Sequence, residues 1–213
     1  MDKNKINKIL KISGVLGIVG VICYILQLIL GELIYSDYNF VTQTMSDLTA
    51  CDAPSRIVSS IFLFIYGLCS VIFSFCFFSF FKGINKSFNV GAILFFITNL
   101  VFFIGLTFFP KPSLIITEFS FQYLMHWITV GLTVFFSIVS FSFLIAGFFK
   151  SSHKKLGILV TIALTFLILG AVVVKLFPTI GGLLERISIN QIIILNFIFS
   201  IYLLSHEKNT DIK

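Results

Sequence analysis

Charge is scarce in this sequence. Only 11% of its 213 residues are Asp, Glu, Lys or Arg, whereas 58% are hydrophobic and the mean hydropathy is +1.07. A soluble domain carries about 25% charged residues, so the composition excludes a soluble globular protein and predicts an integral membrane protein.

Clustered basic residues are also lacking. The net charge of +6 comes from Lys and Arg residues scattered singly between apolar stretches. They form no basic stripe that could follow a phosphate backbone, so nucleic acid is not expected as a partner. The lipid bilayer is the expected partner instead.

Long apolar stretches dominate what is present. They lie at about 12–34, 57–81, 90–109, 122–149, 157–177 and 187–205. Each approaches the ~20 residues that a helix needs to cross a bilayer, and none alternates as a barrel strand would. The sequence therefore predicts an all-α protein of six transmembrane helices in one bundle, between a basic N-terminus (1–11) and a short tail (206–213). We expect the first stretch to be retained, because it lacks the small-x-small site of a cleaved signal peptide.

The basic residues predict the orientation of the bundle. With the N-terminus in the cytoplasm, eleven Lys residues fall inside and only Arg56, Lys111, Lys175 and Arg186 fall outside. By the positive-inside rule, both termini are predicted to be cytoplasmic in a multi-pass protein of the cell membrane. Cys51 is then the only cysteine in an outer loop, so no disulfide between outer loops is expected.

The first outer loop, YSDYNFVTQTMSDLTACDAPSR, is the least generic stretch. Val41, Met45 and Leu48 recur at helical spacing, which predicts a short helix lying in the membrane interface. Asp52 or Ala53 is predicted to cap the second helix, with Pro54 in its first turn. The loop is either an interfacial lid or the source of a ligand-binding or proton-handling carboxylate, Asp47.

The fourth stretch carries a polar stripe. Its members, at steps of three and four residues, are Gln122, His126, Thr129, Thr133, Ser137 and Ser140. Such a stripe should face other helices or a wet cavity, and the hydroxyls alone could serve packing. His126 is an ionisable group and therefore a candidate site residue. The first stretch has a matching face of small residues, with Tyr24 and Gln27 as candidate cavity lining.

Two short motifs connect the fifth and sixth apolar stretches on the predicted outer side. The fifth stretch ends in KLFP, and TIGGLLERIS follows. Gly181 and Gly182 are predicted to form a tight turn, with Glu185 and Arg186 opening the last helix. Glu185 either stabilises that helix start or belongs to a site, and Arg186 could bind a phosphate or carboxylate. A pairing of Glu32 with Lys175 is also open.

Several of these motifs resemble a known family. TMSDLTACDAP after the first stretch, FFP before His126 and GGLLERI before the last stretch are similar to the bacterial membrane family catalogued as domain of unknown function 998, over about residues 12–205. The resemblance implies a six-helix membrane protein. Its motif positions are Ser46, Asp47, Leu48, Pro54, Pro110, His126, Glu185 and Arg186. Members often carry an acidic residue soon after the first FP, where this chain has Lys111, Pro112 and Ser113.

Three functions remain open at this point. Candidate binding residues at the outer face are Asp47, His126, Glu185, Arg186, Ser46 and Gln122, which could hold a lipid headgroup or a small polar solute. A membrane hydrolase would use His126 as base, Asp47 to orient it, and Ser46 or water as nucleophile. A structural or partner-stabilising subunit would need no ligand, and a homo-oligomer is possible. No cofactor is expected and no metal, since one outer histidine falls short of a zinc site.

Overall fold

Six long helices make up the protein. The computed structural model describes residues 3–115, 119–174 and 176–205. The helices are α1 (Lys3–Ile34), α2 (Arg56–Phe81), α3 (Lys86–Phe108), α4 (Phe121–Phe149), α5 (Lys154–Val173) and α6 (Gly181–Ser205), and the described ranges contain no strand. All six helices are long and apolar enough to cross a membrane. The prediction of an all-α, multi-pass membrane protein is therefore confirmed.

All six helices begin earlier than predicted, α1 and α6 by the most. Helix α1 starts at Lys3, so the described part of the basic N-terminus continues the first span as helix. Helix α6 starts at Gly181, where a tight turn was predicted. A Cβ atom on Gly182 would collide with the carbonyl oxygens of Phe40 and Gln43, so glycine is needed there for close approach. The predicted tail, 206–213, lies outside the described residues.

The helices form a closed ring. Each packs against its neighbours in sequence, and α1 packs against α6 to complete the circle. The short connections make successive helices antiparallel, as in an up-and-down bundle. Both predicted polar faces point inward: Ser13, Gly17, Gly20, Tyr24, Gln27 and Gly31 of α1 are buried, as are His126, Thr129, Thr133, Ser137 and Ser140 of α4.

The two ends of the bundle are filled differently. Near the α2–α3 and α4–α5 connections, the interior is a fully packed aromatic cluster of Phe73, Phe77, Phe88, Phe95, Phe141, Phe148 and Phe199. The Phe77 and Phe199 rings stack with centroids 4.7 Å apart. At the opposite end, a smaller cluster around Tyr24, Tyr66 and Phe102 leaves space for polar groups.

The α1–α2 connection folds over that second end. We call residues 35–55 the cap and this end the capped end. Where the sequence predicted a short interfacial helix, the cap contains a 3-10 helix of five residues, Met45–Thr49, packed against α1, α2 and α6. Leu48 is fully buried and Met45 nearly so. The cap therefore inserts apolar side chains into the end of the bundle.

Candidate functional site

Arg186 of α6 fastens the cap. Its Nη1 donates hydrogen bonds to the carbonyl oxygens of Phe40 (2.8 Å) and Gln43 (3.1 Å) in the cap and of Gly182 (3.0 Å) in its own helix. Its Nη2 donates to the Tyr38 hydroxyl. The planar guanidinium fork suits this task, because it offers five donors in fixed directions.

Glu32 of α1 and Tyr38 of the cap lie beside this arginine. Glu32 at the end of α1 lies 3.6 Å from Nη2 of Arg186. Burial raises the pKa of Tyr38 to about 12 although Arg186 opposes the rise. Tyr38 therefore stays neutral and donates its own proton to the Thr44 carbonyl oxygen, 2.8 Å away. Lys175, the predicted partner of Glu32, lies outside the described residues.

Glu185 binds the cap rather than the start of its own helix. Its Oε2 accepts a hydrogen bond of 2.9 Å from the Met45 backbone N–H. Two residues earlier, the Leu183 N–H donates to the Val41 carbonyl oxygen over 3.1 Å. The motif GGLLER is thus a docking surface for the cap, and the cap residues that bond to it are Phe40, Val41, Gln43 and Met45.

Asp47 ties the cap to the α3–α4 connection. Its Oδ2 accepts a hydrogen bond from the Thr44 N–H at 2.8 Å, which closes the 3-10 turn. Its Oδ1 pairs with Nζ of Lys111, and both side chains are nearly buried. A second backbone bond joins the same segments, from the Cys51 N–H to the Lys111 carbonyl oxygen at 3.0 Å.

Asp52 also joins the cap to the α3–α4 connection. The prediction that Asp52 or Ala53 is the N-cap residue of the second helix is wrong. Helix α2 begins at Arg56 after Ser55. Asp52 instead accepts hydrogen bonds from the Ser113 hydroxyl (2.6 Å) and the Leu114 N–H (2.9 Å). What burial it has acts to raise the pKa of Asp52, but these hydrogen bonds to the charged form outweigh it and hold the pKa below its usual value.

His126 and Gln122 both bind the end of α3. His126 Nδ1 lies 3.0 Å from the Phe109 carbonyl oxygen, and Gln122 Nε2 donates to the Pro110 carbonyl oxygen at 3.0 Å. These carbonyls follow the last turn of α3, where helix geometry supplies no partner. Since a carbonyl only accepts, Nδ1 must carry the proton, and the neutral ring then keeps a free lone pair on Nε2.

A lateral cleft of about 580 Å³ opens between α4, α5 and α6 at the capped end. Its polar end is formed by Thr42, Thr44, Ser46, Lys111, His126 and Glu185, and its apolar wall includes Trp127, Val130, Gly131, Val134, Ala171 and Val174. Trp127, on a helix long and apolar enough to cross a membrane, is 49% exposed. The cleft is therefore reached from the side and is charged only at one end.

An inner chamber of about 50 Å³ lies directly beneath the cap. Tyr24 and Gln27 line it, as predicted, together with Thr129 and Thr133 of the α4 stripe. The Thr133 hydroxyl is buried without a hydrogen-bond partner. The chamber and the cleft share four wall residues, Ser46, Val130, Glu185 and Ile189. Glu185 therefore stands at the boundary between the two spaces.

A larger groove of about 740 Å³ lies on the other side of the bundle, between α2 and α3. Its only charged lining residue is Arg56, which donates to the Cys51 carbonyl oxygen at 3.0 Å. None of the predicted site residues lines it. The lateral cleft is accordingly the better candidate site.

The six predicted site residues divide into two groups of three. Ser46, His126 and Glu185 line the lateral cleft. Asp47, Gln122 and Arg186 bind backbone and neighbouring side chains of the cap and the α3–α4 connection. Sequence reasoning missed Lys111 and Trp127 as cleft residues. One signal was available, because Trp127 is the only tryptophan and follows His126 directly.

The hydrolase arrangement does not form in this geometry. Asp47 is bonded to Thr44 and Lys111, while the Nδ1 atom of His126 that it would orient is bonded to Phe109. The Ser46 hydroxyl lies 3.0 Å from that of Thr44. Across the described ranges, no group of three or more His, Cys, Asp or Glu side chains is placed to hold a metal ion.

Comparison with known proteins identifies the family of this chain. No curated protein and no solved structure matches it. A family model described as "Protein of unknown function (DUF998)" matches residues 18–202, which run from within α1 to within α6 and include the cap and the lateral cleft. The motifs TMSDL, FFP and GGLLER all fall within this match. The chain belongs to the DUF998 family of membrane proteins.

Proposed function

We propose that this protein binds a membrane lipid in the lateral cleft, with the headgroup at the polar end and an acyl chain along the apolar wall. One observation carries the proposal: a single cleft joins Lys111, His126 and Ser46 to an apolar wall on the bilayer-facing surface. A lipid has the same division of polarity along its length.

Size and access favour a lipid over a small polar solute. The cleft volume of about 580 Å³ lies within the roughly 300–1,000 Å³ typical of ligand pockets. A small solute would leave the wall formed by Val130, Val134 and Ala171 unfilled. Entry from the side also spares the cap, which is fastened to both α6 and the α3–α4 connection, from having to open.

We further propose that the capped end faces outward and that both termini are cytoplasmic. Eleven Lys residues on the opposite side and four basic residues on the capped side support this orientation. The lipid would then come from the outer leaflet of the cell membrane.

A structural or partner-stabilising role is the second candidate. The α4 hydroxyls favour it, because Thr129 donates to the Met125 carbonyl oxygen at 2.8 Å and Ser137 to that of Thr133 at 2.7 Å. These groups bond within their own helix, as packing residues do. Only the cleft distinguishes the two candidates, so the test is directed at the cleft.

The test fills the cleft without disturbing the helices. Gly131 lines the cleft, and a Cβ atom there would meet nothing within 4 Å. Gly131→Phe should therefore place its ring in the cleft, while the loss of a mid-helix glycine should leave stability unchanged or raised. Leu132→Phe is the matched control, because Leu132 is exposed and does not line the cleft.

Quenching of the single tryptophan provides the readout. Trp127 lines the cleft, so a phospholipid with brominated acyl chains, added to the protein in detergent, should quench its fluorescence. We expect saturable quenching in the parent protein and in Leu132→Phe, and loss of the saturable part in Gly131→Phe. Equal saturable quenching in all three proteins would contradict lipid binding in the cleft and favour the structural role.

A further inference from the structure

The charges along the lateral cleft are unequally partnered. Lys111 is neutralised by Asp47, and the guanidinium of Arg186 is directed to cap carbonyls, Tyr38 and Glu32. Glu185 has no cation within ion-pair distance among the residues that the structure describes. Of the two charged residues that line the cleft, Glu185 is thus the one without an ion pair among the described residues.

The position of this carboxylate makes it available to a ligand. Glu185 lies at the boundary of cleft and chamber, and it commits Oε2 to the Met45 N–H. The described residues provide no hydrogen bond to Oε1. A carboxylate away from bulk water is costly unless a cation or several donors satisfy it. A group that brings positive charge to Oε1 would remove that cost.

The other charged wall residue suits the opposite charge. The Lys111 ammonium has three N–H donors and uses one on Asp47, so it retains donors for an anionic oxygen. Thr44 and Ser46 contribute further hydroxyl groups to the same end of the cleft. The polar end therefore provides a place for an anion at Lys111 and a place for a cation at Glu185.

We infer that the bound lipid has a zwitterionic headgroup, with its phosphate at Lys111 and its ammonium group at Glu185. This inference rests on the lipid binding proposed above and adds the class of headgroup to it. A headgroup without an ammonium group, such as phosphoglycerol, would bring the same phosphate charge into the cleft and would leave Glu185 unbalanced.

The experiment compares two brominated lipids of identical acyl chains, phosphatidylethanolamine and phosphatidylglycerol, by saturable quenching of Trp127. We expect the parent protein to bind phosphatidylethanolamine ~10-fold or more tightly, the effect of one charged hydrogen bond. Glu185→Gln keeps the side-chain shape and an acceptor for Met45 but removes the charge, and it should abolish this preference. Asp37→Asn removes an exposed cap carboxylate that does not line the cleft, and it should keep the preference.

The outcomes separate the two proposals. Equal affinity for both lipids in the parent protein would overturn the headgroup inference and leave lipid binding intact, and this comparison needs no variant to fold. A preference that survives in Glu185→Gln would also overturn it. Absence of saturable quenching by either lipid would overturn both proposals. Soluble phosphoethanolamine should displace the lipid poorly, and displacement at equal concentration would assign the site to a soluble amine instead.

Discussion

The two ends of this bundle are built from the same six helices but are packed by different rules. The end away from the cap is closed by aromatic rings that touch one another, with Phe77, Phe88 and Phe95 fully buried. The capped end keeps polar groups, a cleft and a chamber, and it is held by hydrogen bonds and ion pairs between segments far apart in sequence. Close apolar packing is thereby concentrated at one end, and the open space that we propose for a lipid lies at the other.

The strongest test of this difference removes one ring from the aromatic cluster. Phe77→Ala should cost about 3 kcal/mol of stability, because it deletes a stacked ring and leaves a cavity that the close-packed neighbours cannot fill. Phe75→Ala on the same helix is the control, since Phe75 is 52% exposed. Thermal unfolding in detergent measures both, and an equal loss in the two variants would show that the cluster is not special.

The second test releases the cap. Arg186→Ala leaves the carbonyl oxygens of Phe40 and Gln43 without their charged donor, at a cost of about 1.5–3 kcal/mol. Amide hydrogen exchange across the cap should accelerate while exchange near the aromatic cluster stays slow. Arg186→Lys should restore little, because lysine lacks the planar fork. Uniformly faster exchange throughout the bundle would mean that the two ends are not separable.

A smaller effect is expected from the ion pair that joins the cap to the α3–α4 connection. Asp47→Asn and Lys111→Gln should each destabilise the capped end, and the double variant should lose less than the sum. A double-mutant cycle on the thermal unfolding of the protein should give a coupling energy of about 1 kcal/mol. A coupling of zero would mean that the pair contributes no attraction beyond its separate contacts.

The smallest effect is a pH dependence confined to the same connection. The pKa of Asp52 is below its usual value in the folded protein, so its ionised form stabilises the fold above the ordinary pKa of aspartate. This contribution is lost as the pH falls through the lowered pKa. The protection of the Leu114 amide, which is the intrinsic exchange rate at each pH divided by the observed rate, should then fall on acidification, and Asp52→Asn should remove that dependence. An unchanged acid response in this variant would assign it to another group.

The sequence was sufficient to predict the helices, because hydropathy and length alone decide which segments cross a bilayer. It was insufficient where a residue's partner lies far along the chain. Asp52 looked like a helix cap but binds Ser113 and Leu114, and Gly181–Gly182 looked like a turn but forms the first turn of α6.

The site was predicted in part, for the same physical reason. The helical spacing of the α4 stripe located His126 and the hydroxyls facing inward. Glu185 lines the cleft, whereas its neighbour Arg186 binds the cap. This difference depends on how the cap packs against α6. Spacing within a helix carries no information about that long-range contact.

The closure of the ring has a consequence for how the protein is made. Helix α1 is synthesised first, yet Gly14 and Gly17 on its small-residue face pack against Ser200 and Leu204 of α6, which is synthesised last. The cap likewise cannot form its hydrogen bonds to Arg186 until α6 has been synthesised. During synthesis, α1 can pack against α2 at once, but it and the cap remain without their contacts to α6 until the last helix is made.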